Sequence, residues 1–211
     1  MTGPAQRLAD CMAACPLVAI LRGIAPDEAQ AVGEALLAAG FTILEVPLNS
    51  PEAVESISRL SKSLGSRALI GAGTVLTIDQ VDAVANAGGQ LIVSPDCRPE
   101  VIKATVSADV VSVPGYFTVT EAFAAIDAGA HALKLFPADS AGPAMLKAQR
   151  AVLPTIPVLP VGGITPDTMA GWVEAGANGF GIGSNLYRAG KPIADIVRDA
   201  TLFIDTWRGG S

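Results

Sequence analysis

Lys134 stands where lysines are rarely placed. It lies in the run Ala130 to Asp139, reading AHALKLFPAD, with Leu133, Leu135 and Phe136 around it and no acidic residue in the four positions before it. A lysine at a strand end ordinarily snorkels, stem buried and ammonium in water, because charged residues are seldom buried without a partner. An apolar setting instead desolvates the ammonium, lowers its pKa and frees the amine as a nucleophile. That is the chemistry of a lysine that forms a Schiff base. Glu45 has a comparable setting between Leu44 and Val46. Side chains alternate along a strand, so Glu45 lies on the face opposite Leu44 and Val46, and Lys134 on the face opposite Leu133 and Leu135. A carboxylate and an amine turned toward one interior form either a buried ion pair or a working acid–base site. A buried pair is costly for stability alone, which favours a working site.

Two turns add an anion-binding signal. Gly162-Gly163 and Gly183-Ser184 each follow a short apolar run. Glycine lets the backbone approach a phosphate closely, and backbone N–H groups near a helix start form a common phosphate cradle. A lone Gly-Gly pair is usually just a turn. Two such loops on successive strands, with the Ser184 hydroxyl as a further donor, are more specific. Arg22 follows another apolar run and is either a surface arginine or a fork-shaped carboxylate ligand.

These residues act together only if an architecture gathers them. Short β-branched or apolar runs alternate with Ala-rich helical patterns, the mark of βαβ units and a parallel sheet. The expected strands are 17–21, 42–46, 68–72, 90–93, 110–113, 132–136, 158–161 and 179–182. They are near-continuous apolar runs, as strands buried on both faces should be. Helices are expected over Pro4–Ala14, Pro26–Ala39, a short segment around Arg98–Thr105, and Pro192–Trp207. Ser50 is expected to cap a helix starting at Pro51, and Thr77, Thr118 or Thr120, and Thr165 stand at similar starts. Ala39-Gly40, Ala87-Gly88, Ala128-Gly129 and Ala175-Gly176 each close a helix before an even-numbered strand, where glycine supplies the left-handed stop. Eight βα units of roughly 25 residues fill a chain at the lower end of the barrel size range. The expectation is therefore an α/β protein: one (β/α)8 TIM barrel over 1–211, with an extra N-terminal helix. A doubly wound open sheet is the alternative, but Leu21-Arg22-Gly23-Ile24 replaces a dinucleotide fingerprint after the first strand. In a barrel the chemistry belongs at the C-terminal strand ends. Arg22, Glu45, Lys134 and the two glycine turns all fall there. Strands two and six are both even, so Glu45 and Lys134 can share one interior layer.

Composition narrows the partners. Half of the 211 residues are hydrophobic, 16% are charged, and the net charge is −6. That composition buries a core and excludes disorder and coiled coil. With no basic run, nucleic acid and anionic membrane are poor partners. Apolar runs are short, so no membrane span is expected, and no signal peptide is evident. Cys11, Cys15 and Cys97 match no disulfide or metal framework, and His131 is the single histidine. Idle thiols, no bound metal and a reducing cytoplasm are expected.

The motifs together resemble a known family. LRGI at 21–24, LEVPLNSP at 44–51, GAGTVL at 71–76, SP at 94–95, PG at 114–115, LKLFPA at 133–138, and VGGI followed by TP at 161–166 are similar to those of the 2-keto-3-deoxy-6-phosphate sugar acid aldolases, in the same order. The resemblance implies a class I aldolase on a (β/α)8 barrel, without metal or other cofactor and typically a homotrimer. Its substrate would be a phosphorylated 2-keto-3-deoxy sugar acid, its products pyruvate and glyceraldehyde 3-phosphate. By the same resemblance Lys134 forms the imine and Glu45 moves protons. Arg22 and Thr74 hold the carboxylate end; Gly162, Gly163, Gly183 and Ser184 hold the phosphate. Two branches of the family differ in the configuration at C4. Asn49 and Val161 resemble the galactonate branch, where the gluconate branch commonly has arginine and threonine. An enzyme for the gluconate epimer, or one for both epimers, is the nearest alternative, and two other classes stay open: a phosphate-binding barrel isomerase or epimerase, which needs no interior lysine, and a non-catalytic sugar-phosphate-binding barrel.

Overall fold

The computed structural model of the chain describes residues 3–209. Nine helices and nine strands alternate among the described residues: α1 (Pro4–Ala14), β1 (Leu17–Ile20), α2 (Pro26–Ala39), β2 (Ile43–Pro47), α3 (Ala53–Leu64), β3 (Leu69–Gly73), α4 (Ile78–Asn86), β4 (Leu91–Val93), α5 (Pro99–Ser107), β5 (Val111–Val113), β6 (Gly115–Tyr116), α6 (Val119–Asp127), β7 (Leu133–Leu135), α7 (Ala138–Arg150), β8 (Val158–Pro160), α8 (Pro166–Glu174), β9 (Phe180–Ile182) and α9 (Ile193–Gly209). The expected fifth strand is β5, and a further two-residue strand, β6, follows it outside the expected range. Pro114, which has no N–H to donate, separates β5 from β6. A six-stranded parallel sheet in the order β5-β4-β3-β2-β1-β9 forms one half-barrel, and β6-β7-β8 forms the remainder. The two meet on one side at Pro114, whose carbonyl accepts from Lys134 N–H at 2.9 Å. On the other side Val161 bridges Gly181 in parallel. Counting β5 and β6 as one, eight parallel strands close the expected barrel.

The strand alternation sorts apolar side chains into two cores. Val18, Ile43, Leu69, Leu91, Val113 and Leu159 fill the interior. Leu17, Leu44, Val46, Ile70, Leu133 and Leu135 point outward and pack with the helices. The N-terminal helix covers one barrel end: its Leu8 joins the interior cluster, with Cys11 and Met12 against it. Close helix packing depends on Gly33. A Cβ there would stand 2.5 Å from Leu60 Cδ2, so α2 could not lie as near to α3.

Helix ends follow local chemistry. The Thr77 side chain accepts from Gln80 N–H at the start of α4, and Thr118 forms a capping box with Glu121 at the start of α6. Each satisfies a donor with no intrahelical partner. Gly40, Gly88, Gly129 and Gly176 all adopt left-handed φ, between 87° and 113°, as helix stops. Ser50 is different from expectation. The helix after β2 starts at Ala53, preceded by Glu52 at φ 41°. Ser50 is buried, and its Oγ accepts the Gly23 N–H at 2.9 Å. The loop after β1 had a half-buried donor to satisfy, and Ser50 serves it instead of a helix. Along α7, Gly142 breaks the helical backbone at φ 75° just before Pro143. No helix of the described residues is long and apolar enough to cross a membrane.

Candidate active site

Lys134 and Glu45 both face the barrel axis, 7% and 2% exposed. Their strand neighbours Leu133, Leu135, Leu44 and Val46 belong to the outer core, so alternation leaves them no other direction. Together with Leu8, Val18, Val113, Leu159 and others they line an interior void of about 20 Å³. Among the described residues neither takes part in an ion pair within 4.0 Å, and Glu45 Oε2 is buried with no hydrogen-bond partner. The Lys134 ammonium lies 4.9 Å from the Phe136 ring centroid, a cation–π approach. Burial pushes the Glu45 carboxyl above the usual range, against the pull of the Lys134 and Arg22 charges. Burial likewise pulls the Lys134 amine below the usual lysine range; Glu45 opposes this and Arg22 adds to it. Desolvation therefore outweighs attraction at both groups, and each is drawn toward its neutral form.

The β3 end supports this carboxylate. A Cβ on Gly73 would lie 2.6 Å from Glu45 Oε1, so the acid occupies space that only glycine leaves. Thr74 follows at φ 59° and is half-buried. A β-branched residue is strained in this region, and such strain clusters at functional sites.

Arg22 is exposed at the barrel mouth, where its Nη1 donates to Asn49 Oδ1 at 3.4 Å. Its loop is held from both flanks. Ser50 takes the Gly23 N–H on one side. On the other, Glu28 Oε1 accepts both the Ala25 N–H, at 3.2 Å, and the Tyr187 hydroxyl, at 3.0 Å. One carboxylate thus joins the loop after β1 to the loop after β9.

A larger pocket of about 300 Å³ opens beside the interior void and shares Ile20, Val161 and Gly181 with it. Arg22, Phe136, Gly162, Gly163, Gly183 and Ser184 are in its wall. Gly162 and Gly163 adopt φ 113° and 70°. Both lie against the start of α7: a Cβ on Gly162 would be 3.3 Å from Ala138 N, and one on Gly163 3.0 Å from Asp139 Cβ. After β9, Leu186 and Tyr187 N–H both bond the Gly183 carbonyl, a single turn whose first N–H groups have no partner within it.

Of the residues singled out in the sequence, Lys134 and Glu45 share the interior void, while Arg22, Val161 and the four glycine-turn residues share the pocket. Asn49 reaches the pocket through Arg22, whereas Thr74 follows β3 and lines neither the void nor the pocket. Five participants escaped the sequence reading. Gly73 was visible only as one glycine of Gly71-Ala72-Gly73. Asn185, whose Nδ2 donates to Ile164 O at 2.7 Å and joins the two turns, is signalled only by following Ser184. Glu28 and Tyr187 are 159 positions apart, with no sequence signal. Arg188, also in the pocket wall, looks in sequence like any surface arginine.

Known proteins match this chain over most of its length. The family model described as aldolase, KDPG and KHG aldolase, matches residues 8–197. The 2-dehydro-3-deoxy-6-phosphogalactonate aldolase of Escherichia coli (strain K12) is 50% identical over 194 residues, covering 92% of this chain and 95% of the relative. A solved structure described as native KDPGal superposes with a TM-score of 0.91 at 49% identity, covering 92% of this chain and 95% of the other. A KDPG aldolase from Legionella pneumophila, with pyruvate captured as a covalent carbinolamine, superposes with a TM-score of 0.80 at 28% identity over 100% of this chain and 98% of that one.

Proposed function

The chain belongs to the KDPG and KHG aldolase family, and from that premise we propose that it cleaves 2-dehydro-3-deoxy-6-phosphogalactonate to pyruvate and glyceraldehyde 3-phosphate through an imine on Lys134. The observation that carries this reading is the buried Lys134 and Glu45 pair, each drawn toward neutrality, beside a pocket walled by two glycine turns.

The neutral Lys134 amine adds to the C2 ketone, and the neutral Glu45 carboxyl gives its proton to the departing hydroxyl, so that water leaves an iminium beside a Glu45 carboxylate. Burial favours the addition because an ammonium has no lone pair to donate. Glu45 takes the C4 hydroxyl proton, the C3–C4 electrons move into the iminium, and glyceraldehyde 3-phosphate leaves. The remaining enamine takes a proton at C3 from Glu45, directly or through water. Water then hydrolyses the pyruvyl iminium, releasing pyruvate and the neutral Lys134 amine, and the proton set free returns to the Glu45 carboxylate. Arg22 and Thr74 hold the carboxylate end, and Gly162, Gly163, Gly183 and Ser184 hold the phosphate. No metal or cofactor enters the sequence of steps. An isomerase or epimerase would not need the interior lysine, and a binding-only barrel would not need the orphaned Glu45 oxygen.

Borohydride trapping in the presence of pyruvate tests the mechanism. We expect one adduct, mapped by mass spectrometry to Lys134; an adduct elsewhere, or none, overturns it. The epimer rests on Asn49, on Val161 and on the galactonate relative. Val161 offers no hydroxyl where it meets the pocket, so discrimination should be of the 10–200-fold order typical of such pocket changes. The ratio of kcat/KM for the two C4 epimers tests it, and a clear gluconate preference would reverse the assignment. A homotrimer of this one barrel belongs to the same reading, and sedimentation equilibrium decides it.

A further inference from the structure

The phosphate end of the pocket has an unbalanced charge. A phosphomonoester brings close to two negative charges at pH 7. The glycine turns answer with neutral donors only. Asp139 adds a third negative charge nearby: its carboxylate oxygens lie 3.7 and 3.8 Å from where Cβ atoms on Gly162 and Gly163 would stand. Two cationic side chains follow the β9 turn. Lys191 is already committed, with its ammonium on Asp199 Oδ2 at 2.5 Å and on Leu186 O at 2.7 Å. Arg188 is not committed. It is exposed, lines the pocket, and among the described residues is in no ion pair. Its Nε donates to the Ser184 carbonyl at 3.0 Å, which ties the guanidinium to the same turn that carries Ser184. An arginine held through Nε keeps its two Nη groups for a second partner, and the planar fork suits phosphate oxygens.

We propose that Arg188 is the cation that binds the phosphate of the substrate, with Nε anchored on Ser184 O and the Nη groups on the phosphate oxygens. This rests on the reading of the pocket as a phosphorylated-substrate site, and it adds the charged ligand that the neutral cradle lacks. Arg22, the other guanidinium in the pocket wall, is tied to Asn49 at the carboxylate end.

The experiment compares wild type with Arg188→Ala and Arg188→Lys. Three quantities are measured: KM and kcat for the phosphorylated substrate, kcat/KM for the same sugar acid without phosphate, and the inhibition constant of inorganic phosphate. A charge-assisted contact of this kind predicts a rise of roughly 10–100-fold in KM for R188A, with kcat little changed. The phosphate inhibition constant should rise by a similar factor, and the preference for the phosphorylated over the phosphate-free substrate should fall by it. R188K should recover only part, since lysine keeps the charge but loses the anchored fork. Equal losses on both substrates would assign Arg188 to the fold of the turn and overturn the proposal, as would an unchanged phosphate inhibition constant. Should R188A misfold, the phosphate inhibition constant of R188K decides alone. Pyruvate trapping on wild-type Lys134 is scored separately. Its failure would remove the aldolase reading while leaving the phosphate result standing.

Discussion

Among the described residues two pairings of a lysine with a carboxylate behave oppositely. Lys191 and Asp199 sit beside the phosphate turn, 16% and 22% exposed at their side chains, with 2.5 Å between nitrogen and oxygen. Burial pushes the Asp199 carboxyl up, but hydrogen bonds from Lys191 and Arg198 outweigh it and leave the group below its ordinary range. Lys134 and Glu45 are deeper, lack an ion-pair contact and are drawn the other way, toward amine and acid. Distance and solvent decide between the outcomes. A close pair with satisfied hydrogen bonds keeps its charges, whereas a separated pair in a dry barrel is governed by the cost of burying each charge. The first contributes to stability. The second costs stability and draws the lysine toward its neutral amine.

Breaking the comparison at its deep end should have the largest effect. Lys134→Ala should lower turnover by several orders of magnitude, because no other amine lines the void; it should also abolish borohydride labelling. Appreciable turnover would end the imine mechanism. Glu45→Gln is next, with a loss on the order of 10²–10⁴-fold for a missing proton carrier. It also sharpens the electrostatics. The Glu45 charge raises the Lys134 pKa, so its removal should lower that pKa further. The acid limb of imine formation, followed by trapping at a series of pH values, should therefore move to lower pH in E45Q. A shift to higher pH would show that Glu45 does not favour the Lys134 ammonium and would overturn this reading of the pair. Gly73→Ala puts a methyl 2.6 Å from Glu45 Oε1. Displacing the carboxylate by about 1 Å should cost roughly 10²-fold in kcat, with Lys134 labelling retained.

The smallest effect is expected at the shallow pair. Asp199→Asn should cost about 1 kcal/mol of stability, measured by urea unfolding. A carboxyl depressed in the folded state stabilises at pH above its unfolded value, roughly 4, and loses that contribution as pH falls through the lower folded value. The wild type and D199N should therefore differ near neutrality and converge in acid.

Much of the fold was legible in the sequence. The predicted strand ranges overlap all eight strand positions, because runs such as LVAI and ILEVP can be buried on both faces only in a parallel sheet. The Ala-Gly echo located four left-handed helix stops. The alternation around Glu45 and Lys134 gave their inward direction, since a strand has just two faces. Elsewhere local chemistry misled. Ser50 looks like a helix cap because serine caps helices, yet a donor 27 positions earlier captured its hydroxyl. The expected strand 110–113 gave no sign of β6 beyond Pro114, because the seam between the two sheets is a relation between strands.

The site divides along the same line. Its residue types were legible one by one: an apolar-flanked lysine, an apolar-flanked glutamate, two glycine turns. The amino-acid sequence by itself determined the barrel, its strand positions and which side chains face the axis, because these follow from periodicity, caps and backbone freedom over a few neighbouring residues. Only the tertiary structure decided that Gly73 makes room for Glu45, that Glu28 joins the loops after β1 and β9, and that Lys191 is neutralised while Arg188 is left without a carboxylate. Those are relations between groups remote in the chain, or between competing partners in space. Distance and solvent exclusion govern them, and neither is written in the order of residues.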